Sequence, residues 1–188
     1  MGDIVTMDDL SNQDIVAVLD DAERLIPVAR GDVYLPLLQG KVLANMFFEN
    51  STRTRMSFET AMKRLGGSVL NFTSIGTSVA KGETLYDTMQ MIDGYADVAA
   101  IRHPRQGAAQ YSADAVEIPI LNAGDGAGNH PTQTMLDLFT IRQAHGTLEG
   151  LNVVLVGDLR YGRTVHSLSH ALVTVSYTHL RAHETPIN

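Results

Sequence analysis

Short apolar runs alternate with stretches of helical periodicity along most of this chain, and that alternation limits its fold to a small set. Val42 to Phe48 is an apolar run of strand length. Phe58, Ala61, Met62 and Leu65 then recur at helical spacing, which predicts a helix over 53–65. The pattern repeats as a strand near 68–73, a helix near 83–94 with Leu85, Met89 and Ile92 on one face, and a strand near 97–102. A helix near 106–115 and a strand near 118–122 follow. Pro131 suits the first turn of a further helix carrying Met135, Leu138 and Phe139. Upstream, Ser11-Asn12-Gln13-Asp14 reads as a capping box with Asp as its acid, opening a stripe of Ile15, Val18, Leu19, Ala22 and Ile26. The expected class is α/β, a parallel sheet with helices on both faces. Ligands of such sheets gather beyond the carboxyl ends of the strands. Arg53, Arg102 and His130 each fall just past a predicted strand, so one crevice can hold all three.

A second unit starts near Leu151, with a strand to Val156, a turn at Gly157-Asp158 and a helix from Tyr161 to Val173. One βα unit cannot form a core by itself.

Residues 49–55, Glu-Asn-Ser-Thr-Arg-Thr-Arg, carry the clearest chemistry. Ser51, Thr52 and Thr54 sit where the helix over 53–65 begins. Unpaired backbone N–H groups, the positive end of the helix dipole and hydroxyl donors converge there. Arg53 and Arg55 add forked donors that match phosphate oxygens. Ser and Thr also cap helices routinely, but two hydroxyl–Arg steps in five residues exceed what a cap needs. The pattern describes an anion site suited to phosphate.

Ser51-Thr52-Arg53-Thr54-Arg55 resembles the carbamoyl-phosphate motif shared by the aspartate and ornithine carbamoyltransferases. Lys81-Gly82-Glu83-Thr84-Leu85, Arg102-His103-Pro104, His130-Pro131-Thr132-Gln133 and the run from Gly157 to Leu168 resemble the aspartate branch, in its order. Ornithine enzymes share a His-Pro-x-Gln element but typically carry Asn-Asn where this chain has Tyr161-Gly162-Arg163. The resemblance implies transfer of a carbamoyl group from carbamoyl phosphate to aspartate, for pyrimidine synthesis. It implies that Ser51, Thr52, Arg53 and Thr54 hold the phosphate, with Arg53 also facing the leaving oxygen. It has Thr54, Arg102 and His130 polarise the carbamoyl carbonyl, Gln133 bind the carbamoyl amide, and Lys81 and Arg163 bind aspartate. Glu49 is expected to orient an arginine such as Arg102. Ser78 and Lys81, in the loop from Thr73 to Gly82, would reach a neighbouring subunit's site in a homotrimer. Separate regulatory chains are left open by the sequence. The reaction calls for no metal and no cofactor.

The same resemblance divides the chain into a carbamoyl-phosphate-binding domain at 1–147, the beginning of an aspartate-binding domain at 148–174, and a tail at 175–188. The tail is expected to be foreign and without regular structure, resembling a translated sequencing-adapter segment. On that reading the polypeptide is a fragment with an incomplete second domain and no turnover. Two alternatives stay open: a module that binds carbamoyl phosphate without catalysis, and an ornithine enzyme. A generic nucleotide-binding domain would need a lysine-bearing phosphate loop, and none is evident. The Gly124-Asp125-Gly126-Ala127-Gly128 run is read instead as the loop leading to His130. His166 and His170 have i, i+4 spacing that can bind metal, but without a third ligand they read as packing or surface residues.

Composition narrows the partners. A net charge of −7 argues against general nucleic-acid binding, so a local basic cluster points to a small anion. No long apolar run or signal-peptide pattern occurs, and the absence of cysteine excludes disulfides and thiolate metal sites. A cytoplasmic enzyme away from membranes fits these bounds.

Overall fold

The computed structural model describes residues 2–73, 82–160, 162–175 and 179–184. Four parallel strands form the main sheet: β1 (Val42–Phe47), β2 (Ser68–Thr73), β3 (Val98–His103) and β4 (Ile120–Asp125), in spatial order β2-β1-β3-β4. Helix α3 (Thr52–Arg64) connects β1 to β2, α4 (Leu85–Asp93) precedes β3, and α5 (Ala108–Ala113) joins β3 to β4. Alternation along the strands buries both faces. Ala44, Met46, Ala99, Ile101 and Ile120 pack with Met89 and Ile92 of α4 and Ala109 of α5. Leu43 and Ala100 face the other way, onto Met62 of α3. The β1, β3 and β4 runs read as apolar because both their faces are covered, whereas β2 at the sheet edge leaves Leu70 44% exposed.

A second cluster joins α1 (Asn12–Arg24), α6 (Pro131–His145) and α7 (Arg163–Val175) through Ile15, Leu19, Leu138, Ala171 and Leu172. Arg142 of α6 clamps α1 by pairing with Asp20 at 2.7 Å and Glu23 at 3.3 Å. The capping box forms as expected: the Ser11 hydroxyl accepts from the Asp14 N–H, and the Asp14 carboxylate accepts from the Ser11 N–H. The stripe running to Ile26 is not one helix, however. α1 stops at Arg24, and a short α2 (Ile26–Arg30) begins with Pro27 in its first turn. Proline has no N–H to continue the earlier ladder and fits where a helix starts.

The second unit is β5 (Asn152–Gly157) followed by α7. Against expectation, the tail contains a strand: β6 (His179–Glu184) pairs in parallel with β5 over six residues, Asn152 to Gly157. Pairing with β5 satisfies backbone groups whatever the polarity of the side chains, which composition alone does not reveal. Nor do the unit's apolar residues uniformly lack partners. Leu172 is fully buried, and Val153 and Leu168 pack on the α1–α6 cluster, whereas Val154 and Val156 are 58% and 64% exposed.

Candidate functional site

The site lies beyond the carboxyl ends of β1 and β3. The chain leaves β1 toward β2 on one side and later returns to β3 on the other, so these adjacent strands form the switch point where α/β sheets open a crevice. A cleft of about 460 Å³ there is lined by Asn50, Ser51, Thr52, Arg53, Thr54, Arg102, His130, Gln133 and Thr164. All seven residues expected to hold carbamoyl phosphate therefore share one wall. Arg55 lines an adjoining cleft with Glu49 and Thr73. Ser78 and Lys81 lie outside the described residues. Arg163 is the first residue of α7, next to the cleft residue Thr164, and its side chain is likewise outside the described ones.

Ser51 occupies the N-cap position of α3 in extended conformation, yet its side chain makes no capping hydrogen bond. Its hydroxyl is thus not spent on the helix end. The first N–H groups of α3 have no intrahelical partners, and they open beside Arg53. A network reaching from the core to the surface seats the helix: Asn45 of β1, fully buried, donates to the Arg55 carbonyl at 3.1 Å and to Asn71 Oδ1 at 3.1 Å. Asn71 in turn donates to Glu59 at 3.0 Å, and Glu59 pairs with Lys63 at 2.6 Å. Those bonds, Lys63 first, lower the Glu59 pKa.

Arg102, near the end of β3, lies opposite Phe47 of β1. Its Nε pairs with Glu49 Oε1 at 2.6 Å, both side chains mostly buried, and its Nη1 donates to the Ala123 carbonyl at 3.4 Å. Glu49 is thus the carboxylate paired with Arg102. The neighbouring His103 packs against Phe48 at 5.0 Å between ring centres, and burial lowers its pKa.

His130 is delivered by a loop pinned from both ends. The buried Asp125 carboxylate accepts from the N–H groups of Gly107 and Asn129, each at 2.8 Å, and from Asn122 Nδ2 at 3.2 Å. Gly126 donates its N–H to the His103 carbonyl at 2.9 Å with φ at 54°, and a Cβ there would lie 2.8 Å from the Gln106 nitrogen. Only glycine allows that approach. The glycine run is therefore the loop leading to His130. His130 is buried and caps α6, its Nδ1 accepting from the Gln133 N–H at 3.4 Å. A backbone N–H can only donate, so the neutral ring carries its proton on Nε2. Its own N–H donates to Ser167 Oγ of α7 at 3.2 Å. Gln133 donates Nε2 to Asp137 Oδ1 at 3.0 Å; burial raises the Asp137 pKa and this bond opposes the shift.

Sequence reasoning missed Asn50, Thr164, Ser167, Asn45 and Asp137. The i, i+4 spacing of Gln133 and Asp137 was there to be read. The contact of His130 with Ser167 spans 37 residues and leaves no local signal. Among the described residues, no group of three or more His, Asp or Glu is placed to hold a metal. His166 contacts the Leu159 carbonyl at 2.5 Å, and His170 lies 3.4 Å from Asp8. No helix of the described residues is long and apolar enough to cross a membrane.

Residues 2–143 match the family model for the aspartate/ornithine carbamoyltransferase carbamoyl-P binding domain. The aspartate carbamoyltransferase catalytic subunit of Archaeoglobus fulgidus is 54% identical over 173 residues, 92% of this chain and 58% of that protein. The catalytic subunit of Methanothrix thermoacetophila is 56% identical over 170 residues, 90% of this chain and 55% of that one. The chain thus spans less than two thirds of these relatives' length. Among solved structures, aspartate transcarbamoylase from Trypanosoma cruzi, in complex with carbamoyl aspartate and phosphate, superposes with a TM-score of 0.92 at 38% identity, covering 98% of this chain and 68% of that one. The catalytic subunit from M. jannaschii gives a TM-score of 0.90 at 47% identity, covering 98% and 60%.

Proposed function

Because the chain belongs to the aspartate/ornithine carbamoyltransferase family, we propose that its cleft binds carbamoyl phosphate for transfer of the carbamoyl group to L-aspartate. The observation that carries this reading is the convergence of Ser51, Thr52, Arg53, Thr54, Arg102, His130 and Gln133 on one cleft. The products are N-carbamoyl-L-aspartate and phosphate, in pyrimidine synthesis.

The amine nitrogen attacks the carbonyl carbon, the bond from that carbon to the oxygen bridging it to phosphorus breaks, and phosphate leaves carrying that oxygen while the amine gives up a proton. The helix N-terminus and the Ser51, Thr52 and Thr54 hydroxyls hold the phosphate. Arg53 faces charge growing on the leaving oxygen. Arg102 and the Nε2–H of His130 donate to the carbonyl oxygen as it becomes an oxyanion, the setting in which fixed donors contribute most to rate. Gln133 meets the carbamoyl amide. Arg163 and Lys81 bind the aspartate carboxylates, Lys81 and Ser78 from a neighbouring copy in a cytoplasmic homotrimer. Residues 1–147 form the carbamoyl-phosphate domain and 148–174 begin the aspartate domain. The aspartate branch is favoured by Arg163 within the segment from Asp158 to Leu168.

The test grafts residues 1–174 onto the remainder of the A. fulgidus subunit and supplies carbamoyl phosphate with aspartate or ornithine. The expected product is carbamoyl aspartate, with Arg53→Ala lowering the rate about 10²–10³-fold. Citrulline formation, or an Arg53→Ala rate within a few-fold of the parent, contradicts the reading.

A further inference from the structure

The Gln133–Asp137 hydrogen bond has the spacing of an ordinary helix-surface pair, but its setting differs. Exposed i, i+4 pairs contribute a few tenths of a kcal/mol. Here Asp137 is partly buried, where desolvation works against its charge. Among the described residues, Gln133 is its one hydrogen-bond partner. A carboxylate only accepts, so the Gln133 amide must turn its NH₂ toward Asp137. The reverse rotamer would set two oxygens against each other. Since Gln133 lines the cleft, its Oε1 is the end left for a ligand. The same residue's backbone N–H holds His130 Nδ1, which places the neutral ring's proton on Nε2. Donor and acceptor together match the C=O and NH₂ of a carbamoyl group. An acetyl group satisfies the donor but leaves the acceptor facing a methyl.

We infer that Asp137 is a positioning residue that fixes the Gln133 amide with Oε1 toward the cleft, and so makes the site select a carbamoyl amide over a methyl group. This specificity role rests on the carbamoyl-phosphate reading above. An acceptor desolvated by the ligand and left unpaired weakens binding, so the selection amounts to about tenfold, within a range of about fivefold to a hundredfold.

Two non-hydrolysable probes separate the terms: phosphonoacetamide, which keeps the amide, and acetonylphosphonate, in which methyl replaces NH₂. Calorimetric titration of the chain should show the amide preferred by about tenfold, and by no less than about fivefold. Asp137→Leu should remove most of that preference by weakening phosphonoacetamide alone, and Asp137→Asn, which keeps an acceptor oxygen, should restore it. In a Gln133→Leu background, Asp137→Leu should change nothing further. Unchanged acetonylphosphonate affinity controls for folding; if Asp137→Leu fails to fold, Asp137→Ala carries the same comparison. An amide preference that survives loss of Asp137, or a loss that persists without Gln133, overturns the inference and leaves the site reading standing. Failure of the wild-type chain to bind either phosphonate overturns both.

Discussion

Glu49 shows how one side chain prepares another. Its carboxylate meets Arg102 Nε at 2.6 Å, and a planar guanidinium held at Nε keeps its remaining donors aimed in a fixed fork. In Glu49→Gln the charge goes while the shape stays, so Arg102 loses its ion pair with Glu49. Phosphonoacetamide affinity should fall, but less than in Arg102→Ala, which deletes the donors themselves. Equal affinity of Glu49→Gln and wild type would show that Arg102 is held by other means. At this scale the sequence was informative where residues act locally. Ser51 to Thr54 announced an anion site through their place at a helix start. Asn45 gave no such sign: an amide within an apolar run looks like an imperfection until its partners Arg55 and Asn71 are seen across two elements.

Elements were legible wherever period and length agreed, since a strand buried on both faces and a helix with one apolar stripe look different in sequence. Boundaries moved where chain chemistry intervened, as at Pro27 between α1 and α2. Long-range ties stayed hidden, and the start of β1 holds one. Asp97 accepts from Lys41 Nζ and from the Val42 N–H, both at 2.8 Å, joining the segment before β3 to the first residue of β1. The Lys41 bond and then the Val42 bond lower its pKa from 3.8. A depressed folded-state pKa adds stability above the unfolded value and loses it as pH falls through the folded one. Asp97→Asn should therefore melt below wild type at neutral pH, with the gap closing as pH drops below about 4. A gap that is constant with pH, measured by thermal melts across pH 2–7, would assign the effect to something other than this carboxylate.

Across the whole molecule, the central strands β1, β3 and β4 of the main sheet are covered on both faces, whereas the second unit leaves Val154 and Val156 exposed and, among the described residues, gives β5 one strand neighbour, β6. An apolar strand face of this kind invites association. Deleting residues 176–188 removes β6, so amide exchange in β5 should speed up while β1 to β4 keep their protection. Unchanged β5 exchange would mean that the β5–β6 ladder contributes nothing in solution. The expectation of a structureless tail came from its resemblance to a foreign segment, and backbone pairing depends neither on a segment's origin nor on its side chains. The central claim, that Ser51 to Thr54, Arg102, His130 and Gln133 form one carbamoyl-phosphate site, is tested most directly by titrating ¹⁵N-labelled chain with phosphonoacetamide and mapping amide shifts. The largest shifts should fall at 50–54, at Arg102 and at 130–133, saturating together with one affinity. Shifts centred elsewhere, such as the apolar groove between Val28 and Leu65, or separate affinities for the three segments, would contradict it.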